Sequence, residues 1–370
     1  MPDSKQKTEF RKNDGNFPWH TRGSAFSSVL ALGLSLFVVS CSAPAAPTPW
    51  TKSEVVFGTI PANLTVYGPE DDALFQGYID VMSTVDKEMS MWDRPYVTDV
   101  MRLAAAAGKN PVEVSADTMK VLKRALEIGE ATQGAMDVAI GPLVKLWGVA
   151  TDHPQVPAQK EVDKLLPLIS RQDIVLQGTT AFLKRPGMIV DVGGIAKGFA
   201  ADQAVAYLRS KGVTSAIVDI GGNVYVVGGK PDGKGGTRPW NIGIQNPDLA
   251  RGSVLGTVAA TDISLVTSGT YERKFTDPKT GKVYHHILDP KTGWPTDNGL
   301  VSVTVVNKSS IDCDGFAKVI VLGLQRGWEV LKAHGLEGIF VTSDKKVYVS
   351  PGLAKDFTLK ASDYQLADLP

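Results

Sequence analysis

The residues best suited to chemistry fall into three clusters. The first is the run DVGGIAKGFAAD at residues 191–202, in which a short apolar stretch ends in Gly193 and Gly194 and passes directly into a helical pattern. Backbone N–H groups bared at such a turn, and the dipole of the helix that follows, favour anions such as phosphate, and Lys197 adds a positive charge. The spacing is neither a Walker A loop nor a Rossmann fingerprint, so the run could equally be a tight packing turn. The second cluster, YHHILDPKTGWP at residues 284–295, sets His285, His286 and Asp289 ahead of a proline-glycine turn. A neutral imidazole at His286 could take the proton of an incoming hydroxyl near neutral pH, although a histidine beside a turn can also be structural. Zinc would require further Cys or His at ligand spacing, and the sequence has none. The third cluster, SSIDCDGFAKVIVLG at residues 309–323, offers Asp312 and Asp314 as hard oxygen ligands of the kind magnesium prefers, or as N-caps of the helix they precede.

These clusters need elements to hold them. A stretch at residues 55–67 that alternates loosely around a turn at Gly58 and Thr59 predicts a strand that enters or crosses the core. Residues 71–92 predict a helix with Leu74, Tyr78, Ile79, Met82 and Val85 on one face, and residues 115–132 predict another, capped by Ser115. A glycine-marked segment at 134–148 and a helix at 158–166 follow. A short strand at 189–192 leads into the helix 197–211, which Gly212 closes. Short strands then dominate, at 216–220, 224–227, 240–245, 253–259, 264–267 and 301–306. Helices at 314–324 and 327–334 precede final strands at 338–342 and 346–350. Interleaved helices and a strand-rich second half predict an α+β body, with mixed or antiparallel sheet and helices packed on it.

At 370 residues, 43% hydrophobic and 21% charged, the chain can bury a sizeable core. Lys+Arg and Asp+Glu both number 39, so no field of one sign points to nucleic acid as a partner. A mildly basic leader runs into an apolar stretch at 25–39, too short to span a membrane comfortably and suited to a signal-peptide core. It ends in Val38, Val39, Ser40 and Cys41, a pattern similar to the bacterial lipobox. The expected organisation is a signal peptide at 1–40, a tether at 41–50 lipidated at Cys41, and one domain at 51–360. The expected location is a bacterial cell membrane, with the lipid-anchored chain facing the periplasm or the cell exterior. Cys313 is the other cysteine, so no intramolecular disulfide is expected.

Taken in order, the clusters and several weaker motifs resemble the ApbE family, the FAD:protein FMN transferases. The weaker motifs are FGTI at 57–60, EMSMW at 88–92, TQGAMDVAIGPLVKLWG at 132–148, Gly-Gly-Asn at 221–223 and TSGTYER at 267–273. The resemblance covers nearly all of the chain beyond residue 50. It implies an ApbE-like, T-fold-related body that takes FAD as substrate with Mg2+ and attaches FMN to a Thr or Ser hydroxyl of an exported flavoprotein, releasing AMP. Acceptors would be NqrB/NqrC-, RnfG- or NosR-like domains. By the same resemblance Phe57, Trp92, Ala135, Met136, Asp137, Asp191, Lys197, His286 and Ile287 bind the flavin nucleotide. His286 and Asp314 would be catalytic, and Gly194 and Asp314 would hold the metal. Lys318 stands where a threonine ligand is usual, and Phe57 where methionine is usual. An ammonium cannot coordinate magnesium, so Lys318 could point elsewhere, partly replace the ion, or weaken its site. Two other functions stay open: a magnesium-dependent FAD pyrophosphatase, in which water replaces the hydroxyl, and a non-catalytic flavin-binding maturation factor.

Overall fold

Nine strands, several of them β-branched and apolar runs, build the central sheet of the computed structural model, which describes residues 48–149 and 151–370. The strands are β1 (Pro49–Val56), β2 (Ile60–Tyr67), β3 (Ala216–Ile220), β4 (Asn223–Val227), β5 (Ile263–Gly269), β6 (Leu300–Asn307), β7 (Glu337–Thr342), β8 (Lys346–Val349) and β9 (Gln365–Ala367). They lie side by side in chain order. Every neighbouring pair is antiparallel except β8 and β9, which are parallel. The expected signal peptide, Cys41 and most of the tether lie outside the described residues. The tether's last two positions, Pro49 and Trp50, belong to β1, and the sheet runs on to Ala367, past the expected end at 360. Among the described residues no helix is long and apolar enough to cross a membrane.

Alternate side chains of one strand enter different cores. Tyr225, Val227, Val303, Val305 and Phe340 pack with the helices, while Val226, Leu265, Val306, Ile339 and Val341 pack against a three-stranded sheet of Trp240–Gln245, Val254–Ala260 and Phe357–Leu359. The helices are α1 (Asp72–Met89), α2 (Asp99–Ala106), α3 (Ala116–Ala131), α4 (Gly141–Trp147), α5 (Gln159–Leu165), α6 (Ala196–Ser210), α7 (Ser310–Phe316) and α8 (Leu324–Ala333). In α1 the buried set Leu74, Tyr78, Ile79, Met82, Val85 and Met89 keeps helical spacing, and Asp71 accepts the Leu74 N–H at 3.0 Å to cap it.

Four sequence expectations change. The stretch 55–67 is part of a hairpin, turned by Phe57 and Gly58 at φ of 50° and 83°. Residues 189–192 form no strand; Ile189 makes only an isolated bridge to Ile140. The helix expected from 314 begins at Ser310, capped by Ser309, and tightens into a 3-10 turn at Ala317–Leu322. Finally, α2 and the hairpin of Ile174–Gln177 with Thr180–Leu183 were not expected.

Helices α6 and α7 approach closely because Gly198 has no side chain. A Cβ there would lie 2.2 Å from the Ser310 carbonyl oxygen and 2.8 Å from Asp314 Cβ. Gly198→Ala gains about 1 kcal/mol of helix propensity but loses about 1–3 kcal/mol or more to overpacking against backbone. Net destabilisation is expected, read as a lower urea midpoint at unchanged m-value.

Candidate active site

One cavity of about 560 Å³ opens where the ends of these elements meet, within the range of small-molecule sites. Phe57 reaches it from the β1–β2 turn, Trp92 from the loop after α1, and Ala135, Met136 and Asp137 from the segment after α3. Asp191, Gly194 and Lys197 come from the glycine turn and the start of α6, His286 and Ile287 from the segment after the short strand Val283–His285. Asp314 comes from α7, and Lys318 from the 3-10 turn behind it. Every residue to which the family resemblance gave a binding, catalytic or metal role among the described residues therefore lines this cavity. Asp289 and Asp312 do not: Asp289 accepts the Lys291 N–H inside its turn, and Asp312 pairs with Arg124 at 2.7 Å.

The cavity floor is polar. Asp314, its side chain 2% exposed, accepts the Gly198 N–H at 3.0 Å and faces Lys197 Nζ at 3.3 Å from both oxygens. Burial pushes its carboxyl up, but the two ammonium groups of Lys197 and Lys318 and the Gly198 N–H outweigh that and hold it below the usual range. Asp202 in α6 fixes this arrangement by accepting the first N–H groups of α7, from Ser310 at 2.8 Å and Ile311 at 2.9 Å. Asp191 accepts the Gly193 N–H at 2.8 Å, and burial raises its carboxyl.

His286 is held by its own N–H, which donates to the Arg273 carbonyl at 3.0 Å. Its Nδ1 is buried with no hydrogen-bond partner among the described residues. Burial first, then the charges of Arg273 and Lys318, depress the imidazole to about 3, so the free site holds it neutral. The turn after His286 is tied to α4 through Trp147, whose Nε1 donates to the Gly293 carbonyl at 2.9 Å.

The remaining wall is more apolar, with Phe57, Met91, Trp92, Met136 and Ile140. Asp137, 8% exposed, spends its carboxylate on the N–H groups of Ala139 at 2.9 Å and Arg171 at 3.1 Å, and so braces this wall. Sequence reasoning gave no role to Arg94, Asn223, Ser268 or Arg273, which also line the cavity. Arg94 grips Asp86 through two nitrogens at 2.9 and 3.2 Å and lies over Gly58, joining the Phe57 turn to the Trp92 loop. Asn223, Ser268 and Arg273 sit inside motifs that were recognised, which was the available signal; Arg94 had none.

The residues around Asp314 do not fit a divalent ion in the arrangement the sequence implies. Magnesium needs only one or two carboxylates besides substrate phosphates, so the lack, among the described residues, of any group of three acidic, His or Cys ligands decides nothing. Position 318 decides it. Lys318 Nζ lies 3.9 Å from Asp314 Oδ1 and donates to Ser268 Oγ at 3.1 Å and to the Asp314 carbonyl at 3.3 Å. A divalent ion held by Asp314 would stand beside this ammonium and be repelled by it. Of the three outcomes the sequence left open for Lys318, its position beside Asp314 fits a charge standing close to where the ion would sit.

By architecture this is an α+β protein whose cavity offers an apolar wall beside a cationic, anion-seeking floor. The model of the ApbE family matches residues 57–340, and the chain belongs to that family. It is 36% identical over 275 residues to the FAD:protein FMN transferase of Klebsiella pneumoniae (strain 342), covering 73% of this chain and 83% of that protein. It is 32% identical over 324 residues to the FAD:protein FMN transferase of Vibrio cholerae, covering 85% and 92%. Among solved structures, the flavin transferase ApbE from Vibrio cholerae superposes with a TM-score of 0.74 at 29% identity, covering 84% of this chain and 99% of that one. The ApbE protein of Thermotoga maritima gives 0.74 at 25% identity, with the same coverage.

Proposed function

We propose that this chain is an FAD:protein FMN transferase that moves the FMN part of FAD onto a Thr or Ser hydroxyl of an exported flavoprotein and releases AMP. The observation that carries the reading is the two-sided cavity. Trp92, Phe57 and Met136 form a wall suited to a flat ring system, while the glycine turn and Lys197 form a floor suited to a pyrophosphate. In the reaction the acceptor oxygen bonds to the FMN-side phosphorus, and the bond from that phosphorus to the AMP-side oxygen breaks. The hydroxyl proton passes to a ring nitrogen of His286, and Lys197 with the Gly194 amide offsets the charge gathering on the phosphate oxygens, the Gly193 N–H being held by Asp191. The family resemblance implies magnesium dependence, but in this chain Lys318 stands beside the carboxylate that would hold the ion, and the steps above use protein groups alone. Attachment to a membrane through lipidated Cys41, facing the periplasm or cell exterior, belongs to the proposal; it is supported by the apolar run that ends at that cysteine.

The test incubates the processed protein with FAD and an acceptor domain bearing a Thr- or Ser-containing flavinylation motif, and weighs the acceptor. A gain of one FMN with stoichiometric AMP supports the reading. An unmodified acceptor beside free FMN and AMP would replace it with hydrolysis, and FAD bound but intact would leave a binding factor.

A further inference from the structure

We propose that Lys318 is a built-in substitute for a divalent cation, so that this chain holds the pyrophosphate of its flavin substrate with protein cations and backbone N–H groups and needs no metal ion to bind it. The inference rests on the transferase reading and concerns how that site meets its anion.

The first support is the way Lys318 reaches the floor. Its stem crosses directly over Gly194: a Cβ on that glycine would lie 2.7 Å from Lys318 Cε and 3.6 Å from Nζ. The glycine turn that bares amides for an anion therefore also makes the slot that delivers an ammonium to the same place. The head group is then fixed by Ser268 Oγ at 3.1 Å and the Asp314 carbonyl at 3.3 Å, with 22% of the side chain exposed toward the cavity. These contacts take two of the three ammonium protons, and the third remains for a ligand.

The second support is charge. Lys197, Lys318 and Arg273 line the floor against the carboxylates of Asp191 and Asp314, one positive charge in excess at that end; elsewhere in the lining Arg94 pairs with Asp86 and Arg251 with Glu272, and Asp137 is spent on the N–H groups of Ala139 and Arg171. Arg273 has no carboxylate partner among the described residues. A pyrophosphate diester is doubly negative, and a lysine ammonium serves it as a point charge. Without Lys318 the floor would be neutral, and a cation from solution would be needed to restore the excess. Asp314 is already engaged by Gly198 N–H and Lys197, so it acts here as the counter-charge that keeps two ammonium groups together rather than as a metal ligand.

The experiment uses the full chain beyond residue 41, with Mn2+ alone as the metal probe, followed by electron paramagnetic resonance, and FAD binding followed by flavin fluorescence. The wild-type protein is expected to take up no Mn2+ stoichiometrically, and to bind FAD equally well in EDTA and in Mg2+. Lys318→Met should weaken FAD binding in EDTA by about ten- to a hundredfold, the worth of a charge-assisted contact. Lys318→Thr should bind one Mn2+ per chain and recover FAD affinity when Mg2+ is added. One Mn2+ bound per wild-type chain overturns the inference, and that arm needs no variant to fold. So does an FAD affinity in EDTA that Lys318→Met leaves unchanged. Failure of the wild-type protein to bind FAD under any condition removes the transferase reading itself, and this inference with it.

Discussion

His286→Asn should slow FMN transfer by about two to four orders of magnitude, the usual contribution of a positioned general base, while FAD still binds within a few-fold of the wild-type affinity. Asparagine retains much of the volume and the backbone N–H that donates to the Arg273 carbonyl, so the segment carrying Ile287 and Leu288 should keep its place. What it lacks is a nitrogen able to accept a proton. In the free site burial, Arg273 and Lys318 hold the imidazole neutral, near 3, which keeps its lone pair available but makes it a weak base. An anionic substrate beside Lys197 and Lys318 offsets those cationic contributions and leaves mainly burial, moving the imidazole back toward the range in which it is an effective base. The loss should therefore appear in kcat and kcat/KM together rather than in KM, as for an interaction made in the transition state. A variant that keeps its rate to within tenfold would leave His286 as a wall residue and give the proton to another group.

The binding wall and floor were legible because they lie in short contiguous runs. The turn 191–197 announces its chemistry through two glycines and a lysine, and α1 announces its buried face through helical spacing. What was misread depends on distant partners. Periodic apolar residues run on past Asp314, yet α7 starts at Ser310, because its first N–H groups are satisfied by Asp202, 108 residues away in the chain. The apparent strand at 189–192 has the composition of a buried strand but meets only an isolated bridge, since the chain turns at Gly193 before a ladder can form. The turn at Gly58 and Thr59 was legible, but the strand before it from Pro49 was not, and the turn itself begins one residue earlier at Phe57, an aromatic that local rules do not place at positive φ. Lys318 illustrates both sides. Its departure from the family pattern could be read from the sequence, whereas its path over Gly194 to Ser268 could not.

Asp314→Ala should lower the unfolding free energy by about 3 kcal/mol or more, and the melting temperature by roughly 4 °C or more, in the absence of any ligand. The carboxylate is 2% exposed and faces two ammonium groups, at 3.3 and 3.9 Å, so its removal leaves those charges close together with no compensating anion at that point. Their side chains are 23% and 22% exposed, and this access to water places the cost at the lower end of the range for broken buried pairs. A further escape is open to Lys318. Burial already lowers its ammonium to about 8 against the opposing pull of Asp314, and without that carboxylate it falls further. A lysine whose folded value lies below its unfolded value binds fewer protons when folded, so stability rises with pH between the two values. In the wild-type protein this gain runs from about 8 toward the ordinary lysine value of 10.5. In Asp314→Ala it should begin at lower pH, so that the gap in melting temperature is widest near pH 6 and narrows by pH 9. The double variant Asp314→Ala with Lys318→Met should recover part of the loss, because it removes the stranded charge along with its partner. Additive losses in that cycle, or a pH-independent gap, would mean that Asp314 stabilises the fold through the Gly198 N–H alone rather than as the shared counter-ion of two lysines.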